Sequence, residues 1–96
     1  MNVIVWTEGA KADLLRHYNF LQDNSSIKAG KIIESIVKAG DSLKTFPKRG
    51  VAIEDSPAMR KLVVPCGKSG FTIHYLILDE DVIILRIFHG RENRPV

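Results

Sequence analysis

The amino-acid sequence predicts an α+β fold in which a helical hairpin covers one face of a small, antiparallel-rich twisted sheet. Three observations predict it: apolar residues recur at helical spacing in the first half, β-rich apolar runs follow in the second half, and both helices precede the last three strands. The expected order of elements is therefore β-α-α-β-β-β. The composition of the 96 residues, 45% hydrophobic and 26% charged, is that of a single globular domain spanning residues 1–96.

The first strand and the first helix follow from a short pattern. Residues 3–6 form a β-rich apolar run that ends at Thr7, a favourable residue for the N-cap of a helix. Apolar side chains then recur at every third or fourth position, which predicts an amphipathic helix over residues 8–22.

The second helix begins after a polar break. Residues 23–26 offer several N-capping side chains, and apolar residues again repeat at helical spacing up to about Thr45. Phe46-Pro47 ends this helix, because a residue that precedes proline disfavours the α region. Two helices separated by four residues predict an antiparallel helical hairpin.

Three strands are predicted in the second half, after a loop over residues 48–58. They cover residues 59–64, 71–78 and 82–89, and the acidic residues 79–81 form the hairpin loop between the last two.

Pairing Leu78 with Val82 across that loop assigns the side chains of the hairpin to two faces. The more uniformly apolar face, which we expect to lie against the helices, contains Phe71, Ile73, Tyr75, Ile77, Ile83, Leu85, Ile87 and His89. The opposite face contains Thr72, His74, Leu76, Leu78, Val82, Ile84, Arg86 and Phe88. No further element remains to cover this second face, and an exposed apolar patch with a polar centre is typical of an interaction site.

Several classes of function have no sequence signal. No apolar run approaches the roughly 18–20 residues that span a bilayer, and the N-terminus lacks the charge and cleavage pattern of a signal peptide, so a cytoplasmic protein is expected. No phosphate-binding loop, nucleophile elbow or paired-histidine motif is present, and we expect neither a metal nor a cofactor. The single cysteine, Cys66, lies in a Gly/Pro loop near Lys68 and is interpreted as an incidental free thiol.

The charges of the chain permit an acidic partner without requiring one, and charge scattered over the surface for solubility is the alternative. Fourteen Lys/Arg and eleven Asp/Glu give a net charge of +3, and the arginines concentrate on the late strands and the tail. A cluster of arginine and histidine on a sheet can bind phosphate and catalyse acid–base chemistry on RNA, or it can pair with the carboxylates of a protein partner. The residues of this group are Arg60, His74, Arg86, His89 and Arg91.

Segments distributed over nearly the whole chain, from about residue 3 to residue 91, also carry a family resemblance. They are Trp6-Thr7 with Ala10 and Ala12-Asp13-Leu14, Phe46-Pro47 with Gly50, Arg60 to Val64, Gly70 to Tyr75, and Ile83 to Arg91. On these residues the chain resembles the ParE toxins of the RelE/ParE superfamily of bacterial toxin–antitoxin modules. The resemblance implies the same order of elements and an antitoxin that wraps across the helices and the open sheet.

The superfamily divides by mechanism. RelE-like members cleave mRNA in the ribosomal A site, whereas ParE-like members poison DNA gyrase and trap cleaved DNA. Thr72 stands where many nuclease relatives carry arginine, and no tyrosine follows Tyr75, which favours the ParE branch. In one departure, many ParE proteins read Tyr-Arg where this chain has Tyr75-Leu76. A RelE-type ribonuclease, and a toxin-like domain that retains only antitoxin binding, are the alternatives.

The resemblance and the charge pattern together assign two surfaces. The toxic surface, which would contact DNA gyrase and its DNA, is expected at Arg60, Arg86, His89, Arg91 and Arg94. The antitoxin, with which a hetero-oligomer is expected, would bind His74, Leu76, Leu78, Val82, Ile84 and Phe88. Residues 91–96 contain two arginines after a glycine, and we expect this tail to be mobile and to contribute to toxicity rather than to stability.

Overall fold

Two helices lie against one face of a five-stranded mixed sheet, which confirms the α+β prediction. The computed structural model describes residues 3–24, 29–54, 56–65 and 70–90. The elements are β1 (Ile4–Trp6), α1 (Glu8–Asn24), α2 (Ala29–Asp41), a 3₁₀ turn (Ser42–Lys44), β2 (Val51–Ile53), β3 (Ser56–Val64), β4 (Phe71–Leu78) and β5 (Asp81–His89).

The strands lie in the order β1-β5-β4-β3-β2. Only β1 and β5 are parallel, and every other neighbouring pair is antiparallel. The N-terminal strand is thereby joined directly to β5, which lies between β1 and β4.

Thr7 connects β1 to α1 as predicted. Its Oγ1 accepts a hydrogen bond of 3.1 Å from the Ala10 amide, which is the N-cap interaction of α1. The same hydroxyl lies 2.8 Å from the carbonyl oxygen of Ile84 and 3.1 Å from that of Leu85, so Thr7 also attaches the start of α1 to β5.

The predicted loop over residues 48–58 is wrong in part, because it contains β2 and the first residues of β3. Val51 and Ala52 pair with Lys61 and Arg60, and a register shift follows before Ile53. A strand of three residues is too short to establish a period of two, which explains why the pattern did not identify it.

The register of the β4–β5 hairpin differs from the predicted one over half its length. The turn contains two residues, Asp79 and Glu80, with φ of 58° and 121°, and Leu78 pairs with Asp81 rather than with Val82. Tyr75 likewise pairs with Ile84 rather than with Leu85. A register shift between His74 and Tyr75 then skips Leu85, so that His74 pairs with Arg86 as predicted. Leu85 is the extra residue of this β-bulge.

The shorter turn exchanges the faces of the first half of β5. Val82 and Ile84 are buried in the core beneath the helices, and Ile83 lies on the opposite face. The prediction that placed Val82 and Ile84 on the face away from the helices is therefore wrong. Beyond the bulge, Arg86 and Phe88 lie on that face as predicted.

Side chains from both helices and the sheet form one core. Its largest fully buried members are Tyr75, Ile36, Leu43, Ile73, Ile84, Ile87 and Val82. Gly40 of α2 lies directly against β1, since a Cβ atom at this position would be 2.6 Å from the Trp6 ring. The absence of a side chain at Gly40 thus allows α2 to approach the sheet closely.

Candidate partner-binding surface

Helix α1 replaces β1 as the neighbour of β5 beyond the short parallel pairing. Pairing with β1 covers only Val82 to Ile84. Further along, Asp13 Oδ2 accepts a hydrogen bond of 2.8 Å from the Ile87 amide, and His17 Nε2 donates to the Ile87 carbonyl oxygen at 2.8 Å. Asp13 and His17 are four residues apart and therefore share a helix face. Together they satisfy both backbone groups of Ile87 at the edge of the strand.

Asp13 also binds Arg86, one of the predicted toxic-surface residues. The Arg86 Nε donates to Asp13 Oδ2 at 2.7 Å and its Nη2 to Oδ1 at 3.1 Å, a bidentate arrangement. Arg16, one helical turn after Asp13, donates to the same Oδ1 at 3.1 Å. One buried carboxylate thus holds two arginines at the junction of α1 and β5.

The pKa of Asp13 reflects this environment. Burial of the carboxyl, which is 4% exposed, acts to raise its pKa. The hydrogen bonds from Arg86, Ile87 and Arg16, together with the charge of Arg86, outweigh burial and hold the pKa below its ordinary value. Asp13 is therefore ionised and fixes the orientation of the Arg86 guanidinium.

Arg86 retains an exposed side. Its side chain is 49% exposed, and its guanidinium carbon lies 5.1 Å from the centroid of the Phe88 ring. Phe88 in turn packs edge-on against His74 at 4.9 Å. Of the predicted toxic-surface residues in the described ranges, Arg86 is the one that the structure presents on the face away from the helices.

Arg60 lies on the other side of the sheet. It is paired with Tyr75, whose side chain is in the core. Its Nε donates to the Gly50 carbonyl oxygen at 3.0 Å and its Nη2 to the Lys48 carbonyl oxygen at 3.4 Å. The structure therefore does not bring Arg60 together with Arg86, and instead uses it to support the segment before β2.

The remaining predicted toxic-surface residues belong to the far end of β5 or lie beyond it. His89 is half-buried, packs edge-on against Phe71 at 5.1 Å and lies 6.4 Å from the exposed ring of Phe20. Arg91 and Arg94, with the predicted mobile tail, lie outside the described residues, as does Cys66.

The face of the sheet away from the helices, here called the distal face, is arranged in three cross-strand rows. The register places an apolar row of Val5, Ile83, Leu76 and Met59, a polar row of Arg86, His74, Lys61 and Val51, and a mixed row of Phe88, Thr72 and Val63. Leu78, near the apolar row, is exposed. The two outer rows thus flank a row that carries arginine, histidine and lysine.

The centre of the distal face is buried, which the sequence did not indicate. His74 and Thr72 are each 4% exposed, and Phe88 is 6% exposed. Exposure is instead concentrated in apolar side chains toward the margins, namely Val5, Val51, Val63 and Leu78. Of the six predicted antitoxin-binding residues, only Leu76 and Leu78 combine the expected face with accessibility.

Asp13 and His17 are the residues that sequence reasoning missed. Both are buried polar side chains on α1. The sequence shows them as two polar residues four positions apart beside an apolar stripe. Their role could not be predicted, because their common partner, Ile87, is 70 residues or more away in the sequence.

The described part of the chain provides neither a cluster of metal-binding side chains nor a membrane-spanning helix. Residues 3–24, 29–54, 56–65 and 70–90 contain no group of three or more His, Cys, Asp or Glu side chains that could hold a metal ion. None of the helices formed by these residues is long and apolar enough to cross a membrane.

Comparison with known proteins identifies relatives of this arrangement. Residues 4–94 match the family model of the ParE toxin of the type II toxin–antitoxin system, parDE. The chain is 33% identical to Toxin RelE1 of Caulobacter vibrioides over 85 residues, which cover 88% of this chain and 89% of that protein.

Solved structures share the fold. A chain of the chromosomal ParDE TA system from P. aeruginosa superposes with a TM-score of 0.75 at 25% identity, covering 95% of this chain and 98% of that one. The toxin–antitoxin complex RelBE2 from Mycobacterium tuberculosis contains a chain with a TM-score of 0.63 at 21% identity, covering 91% of this chain and 95% of that one. With the family model matched over nearly the entire sequence, the chain belongs to the ParE toxin family of the RelE/ParE superfamily and is a toxin of a type II toxin–antitoxin system.

Proposed function

We propose that this toxin is of the ParE type: it inhibits DNA gyrase without cleaving RNA, and a cognate antitoxin neutralises it in a hetero-oligomer. The match to the ParE family model and the similarity to a ParDE structure support this branch of the superfamily. The observation that carries the choice of mechanism is the burial of two of the three histidines.

General acid–base catalysis on RNA needs groups that reach the 2′-hydroxyl and the leaving oxygen. His17 and His74 are each 4% exposed, and His17 is bound to the Ile87 carbonyl oxygen. The side chains of Arg60 and Arg86 are held by carbonyl oxygens and by Asp13 respectively. This arrangement suits a rigid protein-binding surface better than an acid–base site.

We propose the apolar row of the distal face as the antitoxin contact. Val5 and Leu78 are exposed, and Ile83, Leu76 and Met59 are half-buried beside them. Lys61 and Arg86 border this row, so that it fits the apolar side of an amphipathic segment whose other side carries carboxylates.

The target is tested with purified gyrase, supercoiled plasmid, ATP and the purified toxin. A gyrase inhibitor of this type converts the plasmid to linear DNA that remains attached to gyrase until protease is added. The toxin bound to its antitoxin is the matched control and should leave the plasmid intact. Unbroken plasmid at saturating free toxin would contradict gyrase inhibition by trapping of cleaved DNA.

The RelE-type alternative has one specific observation in its favour, the 33% identity to a relative named RelE1. It predicts that the toxin stops a cell-free translation reaction and cleaves mRNA in the ribosomal A site. We expect translation to continue and the mRNA to remain whole. A toxin that binds its antitoxin yet is inactive in both assays would instead be a domain that has kept only antitoxin binding.

A further inference from the structure

The segment between the 3₁₀ turn and β2 concentrates positive charge around an exposed aromatic ring. Lys44, Lys48 and Arg49 are exposed, and the Phe46 side chain between them is 65% exposed. No acidic residue occurs between Asp41 and Glu54. Residues 45–49 also line a surface pocket. We call residues 44–49 the basic loop.

Hydrogen bonds with Tyr75 and Arg60 hold the backbone of the basic loop and the adjoining Gly50 in place. Tyr75, which is fully buried, donates its hydroxyl hydrogen to the Pro47 carbonyl oxygen at 2.7 Å and accepts a hydrogen bond of 2.9 Å from the Gly50 amide. Arg60 donates to the Lys48 and Gly50 carbonyl oxygens from the same side. A Cβ atom at position 50 would lie 2.6 Å from the Lys61 carbonyl oxygen, so glycine is required there.

Hydrogen bonds within the loop and to Ser42 also hold it in place. The Phe46 amide donates to the Ser42 carbonyl oxygen at 3.0 Å, and the Arg49 amide donates to the Phe46 carbonyl oxygen at 3.1 Å. Arg49 Nη1 donates to Ser42 Oγ at 2.7 Å. An exposed aromatic residue on a braced backbone loses little conformational freedom when it binds a partner.

The cations of the basic loop differ from the paired cations on the helices. Lys11 and Lys38 lie within 3.6 Å of Glu8 and Glu34, and Arg16 is paired with Asp13. In the described ranges, Lys44, Lys48 and Arg49 form no ion pair with a carboxylate. Their charge is therefore available to a ligand.

We propose that the basic loop is a binding site for single-stranded nucleic acid. Lys44, Lys48 and Arg49 contact successive phosphates, and an unpaired base stacks on Phe46. Cations that follow a phosphate backbone around an aromatic stacking platform are the general means by which proteins hold single strands without reading their sequence. An acidic peptide would use the three charges but would leave Phe46 without a stacking partner. The site goes beyond the proposed function, because neither gyrase inhibition nor antitoxin binding assigns a role to this loop.

The test measures fluorescence anisotropy of labelled probes with the purified full chain. The probes are single-stranded oligothymidylate and oligouridylate of about 12 nucleotides, which is within the range of such sites, a duplex of the same length, and a peptide of alternating Glu and Ser. Tighter binding of the single strands than of the duplex and the peptide supports the site, and the two strands distinguish DNA from RNA. Preference for the peptide or the duplex overturns it.

Two kinds of variant locate the contact. Phe46→Ala should weaken single-strand binding about fivefold or more, whereas Phe46→Trp should preserve it. With about three phosphates bound, log affinity should fall with log salt with a slope of about −2, and K44A/K48A should reduce the slope to about −0.7. The matched control K11A/K38A removes the same charge from the helices and should keep the slope near the original value. Equal losses in the two double variants, with both folded by circular dichroism, would show non-specific attraction and overturn the proposal.

Discussion

Asp13 and Arg86 are 73 positions apart in the sequence, yet the carboxylate of one and the guanidinium of the other form two hydrogen bonds, at 2.7 and 3.1 Å. Asp13 also accepts a hydrogen bond from the Ile87 amide. This pair joins α1 to β5 at the point where β1 ends, so it holds the helical layer and the sheet together while orienting Arg86.

Replacing Asp13 with alanine should destabilise the fold by about 3 kcal/mol, because it leaves a buried amide without its acceptor and removes the partner of two arginines. Glu8→Ala is the matched control, since Glu8 lies on the same helix in an exposed pair. That control should cost less than about 1 kcal/mol. Urea unfolding at neutral pH measures both values, and equal losses would contradict the role given to Asp13.

The same carboxylate should make stability depend on acid pH. The pKa of Asp13 is lowered in the folded state, so its contribution is fully present above the unfolded pKa of about 3.9 and is lost as the pH falls through the folded pKa. The urea midpoint should therefore decline from about pH 5 downward. Asp13→Asn should show a shallower decline. Parallel pH profiles of the two proteins would contradict this assignment.

Two glycines of α2 should respond to alanine in opposite directions. Gly30→Ala should stabilise the protein by about 0.5–1 kcal/mol, because a Cβ atom there has nothing within 4 Å and alanine favours the helix. Gly40→Ala should destabilise it by about 1–3 kcal/mol, because its Cβ would overlap the Trp6 ring. Thermal melting of both variants provides the comparison, and a shared sign would refute the close contact at Gly40.

The hairpin turn contains a residue whose backbone favours glycine. Glu80 has a φ of 121°, and a two-residue turn of this kind is commonly Asp-Gly. Glu80→Gly should raise the unfolding free energy by about 0.5–1 kcal/mol, since relief of backbone strain exceeds the entropy that glycine loses. Glu54→Gly makes the same chemical change at a turn residue without positive φ and should not stabilise. Chemical denaturation of both variants would decide the matter.

The neighbours Ile83 and Ile84 test the observed register. Ile83→Lys should leave the fold intact and weaken antitoxin binding by about tenfold or more, because it places a charge in the apolar row. Ile84→Lys should prevent stable folding, because Ile84 is fully buried. Calorimetric titration with the antitoxin and circular dichroism separate the two effects. A folded Ile84→Lys protein would mean that the predicted register, rather than the observed one, is correct.

The elements that the sequence predicted well are those with a long repeat. Seventeen residues of α1 and thirteen of α2 provide several helical turns of consistent periodicity. The half of β5 before the bulge was not predictable in this way, because residues 82–85 are all apolar and alternation cannot assign a face to them. A two-residue hairpin turn usually contains glycine, and residues 79–81 contain none, so the sequence predicts a three-residue loop instead.

The sequence predicts which types of residue form the candidate surfaces, but not on which face of the sheet each residue lies. Arg60 and Arg86 were correctly identified as strand arginines, but whether each lies above or below the sheet depends on register. The burial of His74 and Phe88 depends on packing between side chains on neighbouring positions of two strands. Contacts between two strands cannot be predicted from the residue pattern of either strand alone.

The position of β5 between β1 and β4 has a consequence for the order of events during synthesis. The two helices are made first, yet the strand that supplies Val82, Ile84 and Ile87 to their core is the last one that the structure describes. Until that strand leaves the ribosome, β1 and α1 consequently lack the strand to which they are hydrogen-bonded. A core built from such distant segments forms late and exposes apolar surface in the meantime. The toxin fold therefore becomes complete only after β5 has been synthesised, rather than progressively along the chain.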